Sequence, residues 1–320
     1  MTVLVLTSEE DLTADMVIGR LNDRGTPVMR LDPEHFPGRV DLTARIAAGG
    51  GTAGHLATED RRVDLADIRS VWRRRPGPPG HLASVQKEWV SLESERAFYG
   101  TLRALDLPWM NHPEAIDRSH YKIWQLQAAA QVGFLTPRTL ITTDPEAARA
   151  FAAGAGPVIV KSISGRHPED PPLTMATVEV PRDADFSGVA ACPTCLQEKV
   201  DKVADVRLTV VGDTMFPCRI SSPGRTLDWR FLPVEECSWE ITEIPDYVRV
   251  GALEYMEAAG LVYAAFDFAI DTGGNYWFLE ANANGQFGFV ELATGAPISQ
   301  TIADWLTSPP TAERAWRTWG

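Results

Sequence analysis

The segment Ala264-Ala-Phe-Asp-Phe-Ala-Ile-Asp-Thr-Gly-Gly-Asn-Tyr-Trp-Phe-Leu-Glu-Ala-Asn-Ala-Asn284 constrains the chain more than any other. Two strand-like runs flank a Gly-Gly pair, which suits a two-residue hairpin turn because both central residues can take positive φ. With Gly273 and Gly274 as the turn, Thr272 faces Asn275, Phe268 faces Leu279 and Asp267 faces Glu280. Like charges directly opposite each other destabilise a hairpin, so the two carboxylates imply a shared proton or a cation. Asn282 follows Glu280 by two residues and projects from the same face. Asp267, Glu280 and Asn282 offer oxygen ligands only, the kind Mg²⁺ favours when it also holds phosphates. Phe266, Phe268 and Ile270 against Trp277 and Leu279 form an apolar set for a core.

A chain of 320 residues with 44% hydrophobic content can bury a sizeable core and divide into two or three domains. The net charge of −13 argues against non-specific binding to nucleic acid or to an anionic membrane. The first residues, Met-Thr-Val-Leu-Val-Leu-Thr, lack the basic start of a signal peptide, and no apolar run is long enough for a membrane span. Four cysteines in a chain of this length fit a reducing, cytoplasmic compartment. Cys192 and Cys195 have metal-knuckle spacing, but Cys218 and Cys237 do not form a second pair, so a structural or incidental role is expected.

The chain opens as strand, helix, strand: Val3–Leu6, a helix through Ala14–Arg24 closed by Gly25, then Pro27–Leu31. This is the start of a parallel α/β unit. Short strands with a turn at Gly49–Gly51 precede a strand over Ile68–Arg73, and a helix is expected over 86–106. Arg73, Arg74 and Arg75 read as a patch for acidic peptide residues or as a solvated edge. A boundary falls after Pro113, giving segments 1–113, 114–190 and 191–320. One helix is expected from about Asp117 to Gln131, and strands at Val158–Lys161, Cys195–Val200, Asp205–Val211 and Phe216–Ile220.

Lys161 ends an apolar strand beside the small-residue loop that includes Ser164 and Gly165, a place for a solvated cap or for a phosphate ligand. Gln197-Glu198-Lys199-Val200 is a strand end whose backbone could pair with an adenine edge. Asp205 and Arg207 share one strand face. They fit an exposed ion pair, or a carboxylate for ribose hydroxyls beside a guanidinium for phosphate oxygens. Arg219 lies in the next strand, and Arg230 in a polar loop after it.

The order of these parts resembles the ATP-grasp superfamily over residues 113–305: a lysine opening a helix, Lys161 before a Ser/Gly loop, Gln-Glu-Lys-Val before Asp-x-Arg, then a hairpin with Asp and Glu-x-Asn. Ser70-Val-Trp-Arg-Arg-Arg-Pro76, the helix near Phe98, Trp109-Met-Asn-His-Pro113 and Leu135-Thr-Pro-Arg-Thr-Leu-Ile-Thr142 resemble graspetide (microviridin-type) peptide maturases. The resemblance implies an α/β (α+β) ATP-grasp fold with an N-terminal pre-ATP-grasp domain, using ATP and Mg²⁺. It implies that Lys122 and Lys161 hold phosphates under the Ser162–Gly165 loop. Glu198 and Val200 would lie at the adenine hinge and Asp205 near the ribose. Arg219 would bind the γ-phosphate or the acyl phosphate, and with Arg230 would stabilise the acyl phosphate or orient the acceptor carboxylate, while Asp267, Glu280 and Asn282 would hold Mg²⁺. One departure is the loop after Lys161: Ser164-Gly165-Arg166-His167 runs into Pro168, Pro171 and Pro172, where many relatives carry a longer glycine-rich loop. The activity implied is ADP-forming macrocyclisation of a precursor peptide through side-chain esters or amides, by an enzyme that relatives suggest is a homodimer. The alternative is addition of a free amino acid to a carboxylate.

Overall fold

In the computed structural model the described residues are 1–310 except 84, 155, 166–175 and 182. The proline-rich part of the loop after Lys161, with His167, lies outside them. The chain forms two compact units that are not contiguous in sequence: residues 1–115, 260–263 and 286–320, and residues 116–259 and 264–285.

The first unit opens with β1 (Thr2–Thr7), α1 (Leu12–Asp23), β2 (Val28–Leu31), β3 (Asp41–Ile46), β4 (Thr52–Ala57), β5 (Arg62–Asp64), β6 (Ile68–Arg75), α2 (Lys87–Arg103) and β7 (Trp109–Met110). β2-β1-β6-β7 is a parallel sheet, and β3-β4-β5 is a separate antiparallel one. Asp11 caps α1 by accepting the Ala14 N–H. Leu4, Leu6, Met29, Val71, Phe98 and Leu102 pack together in the core. The arginine run does not make one patch, because successive strand residues point to opposite faces. Arg74 is 1% exposed, with its Nε 3.9 Å from Asp11, and Arg73 lies 5.4 Å over the Tyr99 ring, which leaves Arg75 exposed.

α3 (Pro113–Ser119) carries the chain into the second unit, followed by α4 (Lys122–Gln131), β8 (Thr139–Thr142), α5 (Pro145–Gly154), β9 (Val158–Lys161), β10 (Val178–Glu179), β11 (Thr194–Glu198), β12 (Lys202–Val211), β13 (Thr214–Ser221), β14 (Ser238–Ile241), α6 (Asp246–Ala259), β15 (Tyr263–Asp271) and β16 (Tyr276–Asn282). α7 (Gly288–Thr294) and α8 (Ile298–Thr307) return to the first unit. The second unit holds two sheets, β10-β9-β11-β8 and β14-β13-β12-β15-β16. The single helix expected over 117–131 is two helices. Tyr121 is extended at φ −83, ψ 105, and Gln125 donates to the Ser119 carbonyl at 2.6 Å. The break makes Lys122 the first residue of α4.

The hairpin reaches its expected pairing by an unexpected route. Asp271 N–H bonds Asn275 O and Gly274 N–H bonds Asp271 O, so the loop is Thr272-Gly273-Gly274, with Gly274 at φ 81. This is the three-residue loop with glycine in the left-handed position. It shifts the register by one, pairing Phe268 with Phe278. An irregularity between Asp267 and Phe268 shifts it back, so Asp267 faces Glu280. Leu279, expected in the core, lines a cleft instead. Its core place goes to Phe278, which stacks on Phe134 at 5.9 Å beside Phe268. Gly251 of α6 lies against this cluster: a Cβ there would stand 2.5 Å from Phe134 Cε1 and 3.1 Å from Val132 O. Gly251→Ala is therefore expected to destabilise by about 1–3 kcal/mol through overpacking, despite a helix-propensity gain of about 1 kcal/mol. A lower urea midpoint checks it.

Candidate active site

The second unit contains an open cleft of about 700 Å³, counting its solvent-filled mouth. Ile159, Val200, Leu227, Ala269 and Leu279 supply apolar walls, and Lys161, Gln197, Asp205, Arg230, Asp267 and Glu280 supply polar groups. Strand register explains the convergence. On β9 and β11, Ile159 pairs with Gln197 and Lys161 with Cys195, so alternate residues of both strands share a face. Lys161 Nζ lies 3.5 Å from Gln197 Oε1, and Gln197 Nε2 donates to Thr139 Oγ1 at 2.8 Å.

Each of the two facing acids meets a cation. Lys122 Nζ donates to Glu280 Oε2 at 2.9 Å, and Arg207 Nη1 lies 2.8 Å from both oxygens of Asp267. Burial raises the Glu280 carboxyl, but Lys122 and Lys161 outweigh it and pull the group down to about 2. Asp267 goes the other way: burial, aided by the Glu280 charge, holds its carboxyl above the usual range against the pull of Arg207. Burial lowers the affinity of Lys161 for its proton, and Glu280 opposes that. Three cations thus stand against two carboxylates, an arrangement open to a more highly charged anion together with a divalent cation. Two facing carboxylates with oxygen donors only fit Mg²⁺. Asn282 lies opposite Ala265, is exposed, and accepts the Asn284 N–H at 2.9 Å.

The other sequence-derived candidates divide. Asp205 lines the cleft, pushed up to about 6 by burial against the pull of Lys202. Glu198 and Val200 line it too, whereas the Lys199 side chain pairs with Glu179 at 2.6 Å and its N–H bonds Pro157 O. Ser164 and Gly165 are exposed, with Gly165 N–H on Ser162 Oγ at 3.0 Å. Arg219 is not brought to the cleft. It pairs with Val206, one step out of phase with Asp205 and Arg207, so it projects from the other face of the sheet, 4.0 Å from Glu240. Arg230 does reach the cleft, held by Asp228 through Nε–Oδ1 at 2.8 Å and Nη2–Oδ2 at 2.6 Å. Its proton is bound more tightly than usual because of that carboxylate. Sequence reasoning missed Lys202, Thr139 and the walls Leu227 and Trp229.

Residues 2–117 match the family model of the MvdD pre-ATP-grasp domain. The macrocyclase MdnC of Microcystis aeruginosa MRC, solved with its precursor peptide MdnA, is 27% identical with a TM-score of 0.84, over 96% of this chain and 99% of that one. Along nearly its whole length the chain is similar to ATP-grasp ribosomal-peptide maturases. Another structure of this group is the RiPP-associated ATP-grasp ligase of Chryseobacterium gregarium, in complex with ADP and a leader and core peptide. It is 26% identical with a TM-score of 0.87, over 98% and 99% of the two chains. A probable alpha-L-glutamate ligase of Klebsiella pneumoniae (strain 342) is 29% identical over 227 residues, 68% of this chain and 74% of that protein. The ATP-grasp fold of these maturases accounts for the two-sheet second unit, and the pre-ATP-grasp domain for the parallel sheet of the first. No helix among the described residues is long and apolar enough to cross a membrane.

Proposed function

We propose that this chain is an ATP-dependent, ADP-forming macrocyclase of a ribosomally made precursor peptide, joining Asp or Glu side chains to Ser/Thr hydroxyls or Lys amines. The observation that carries the reading is the pair of facing acids, Asp267 and Glu280, each backed by a cation at the end of an apolar-walled cleft. The likeness to a peptide-bound macrocyclase along nearly the whole chain supports the peptide as substrate. ATP supplies the phosphoryl group that turns a carboxylate into an acyl phosphate. Asp267 and Glu280, with Asn282 as a further oxygen donor, would hold Mg²⁺, which would supply charge neutralisation at the phosphates. Lys161 and Lys122 take phosphate oxygens, and Ser164 and Gly165 supply the adjoining loop. Gln197 and the Glu198–Val200 backbone border the adenine, and Asp205 meets the ribose. Arg207 and Arg230 have the planar fork that binds a carboxylate through two parallel bonds, so they orient the acid being activated. Catalysis here is positioning and charge neutralisation, with no covalent enzyme nucleophile. The enzyme acts in the cytoplasm as a homodimer.

Incubation with ATP, Mg²⁺ and synthetic peptides rich in Asp/Glu and in Ser, Thr or Lys tests the reading. The expected result is one ADP and the loss of one water for each cross-link, read by mass spectrometry. Gain of an amino-acid residue instead selects the glutamate-ligase reading, which the Klebsiella relative favours. No ADP with any peptide or amino acid overturns both.

A further inference from the structure

Lys202 opens β12 and donates to three oxygens. Its Nζ lies 2.7 Å from each oxygen of Asp205 and 2.9 Å from the carbonyl of Leu227. An ammonium carries three donors, and this arrangement uses all of them. The side chain is only 10% exposed and lines the cleft. Burying a charge is costly unless it is paired and hydrogen-bonded, and these contacts meet that condition.

The two partners belong to different parts of the cleft. Asp205 stands three residues along β12, beside Arg207. Leu227 lies 25 residues away and begins the arm from Leu227 to Arg230. Within that arm Asp228 grips Arg230, and all four residues line the cleft. Short turns fix the arm further: Phe231 N–H bonds Asp228 O, and Leu232 N–H bonds Trp229 O. One buried ammonium therefore ties a carboxylate on the sheet to the backbone of the arm that presents Arg230.

We propose that Lys202 is a positioning residue: it orients the Asp205 carboxylate and, through the Leu227 carbonyl, sets where the Arg230 arm meets the cleft. The inference rests on the ligase reading above, in which Asp205 meets the nucleotide and Arg230 the acceptor carboxylate. It follows that nucleotide binding and order in the arm are linked through a side chain that touches neither the reacting phosphate nor the acceptor.

The test compares the full chain with Lys202→Met and Lys202→Arg. It uses hydrogen exchange of peptides covering residues 226–232 and titration with ADP and Mg²⁺. In Lys202→Met, exchange in the arm quickens about tenfold and ADP affinity falls about tenfold, the scale of one lost hydrogen bond to a charged group. Lys202→Arg keeps a charged donor for both Asp205 oxygens and restores ADP binding, which a general loss of stability would not do. Should Lys202→Met fail to fold, Lys202→Met with Asp205→Asn removes the stranded charge, and exchange in its arm still reports the tie. Unchanged exchange in a folded variant overturns the proposal, and so does faster exchange with normal ADP affinity. If the unaltered chain takes up no ADP, the ligase reading fails instead, while the exchange measurement still judges the tie.

Discussion

Glu280→Gln is expected to slow ADP formation by about 10³-fold while tightening the grip on metal-free nucleotide. The two effects have one cause. Glu280 accepts Lys122 Nζ at 2.9 Å and faces Asp267 across the hairpin. Without nucleotide its charge is spent on Lys122, and Lys161 adds to the same field. A neutral amide at 280 leaves both lysines without this counter-charge. A phosphate group then meets two ammonium groups that no longer compete for a carboxylate, and ADP in the presence of a chelator binds about tenfold tighter. The same change removes an anionic ligand from the pair proposed for Mg²⁺, and the loss of several kcal/mol of charge stabilisation lowers turnover by about 10³-fold. Calorimetric titration with ADP, with and without Mg²⁺, reads the first effect, and ADP release with peptide reads the second. Normal turnover in the variant would refute the metal assignment. Weaker binding of metal-free ADP would refute the exchange of partners at Lys122.

How much of this was legible in the sequence is best judged at the hairpin. Alternation along a strand is a local rule, so the shared face of Asp205 and Arg207 could be read directly. The facing of Asp267 and Glu280 was also reachable, but only because two register shifts cancel. A Gly-Gly pair serves a two-residue or a three-residue loop equally well, and nothing in the residues announces the irregularity beside Asp267 that restores the pairing. Leu279 shows the cost: alternation assigns it to the core, and the displaced register turns it into the cleft. Arg219 fails for a related reason. Its own strand was legible, but its phase relative to β12 is set by pairing with Val206, a long-range fact. Lys202 had no signal at all, because a carbonyl 25 residues away leaves no pattern in side-chain type. The return of residues 286–310 to the first unit was likewise hidden, since α7 and α8 pair with elements at the far end of the chain.

Arg207→Met is expected to cost about 3 kcal/mol of stability as well as all activity, and most of the stability should return when Asp267→Asn is added. Arg207 is 9% exposed and Asp267 21%, and one guanidinium nitrogen lies 2.8 Å from both carboxylate oxygens. Removing one member of such a pair strands a charge in the interior, whereas removing both can be nearly neutral. The cycle of two single variants and the double variant isolates the coupling. The pH dependence supplies an independent check. Burial already holds the Asp267 carboxyl above its ordinary 3.8, and Arg207 opposes that rise. Without the arginine the folded-state value climbs further, so the folded variant prefers the protonated acid. A group whose folded value is raised favours folding below its unfolded value and loses that contribution as pH rises through the folded one. The deficit of Arg207→Met against the unaltered chain should therefore be full at neutral pH and shrink as pH falls toward 4, while the double variant shows no such trend. Arg207→Lys separates charge from shape. An ammonium can neutralise Asp267 but cannot present two parallel donors to a carboxylate, so this variant should keep most of the stability and still fail to make ADP with peptide. Urea midpoints across pH and ADP release measure the two. A fully active Arg207→Lys would remove the guanidinium from the proposed machinery, leaving Arg230 to orient the acid being activated.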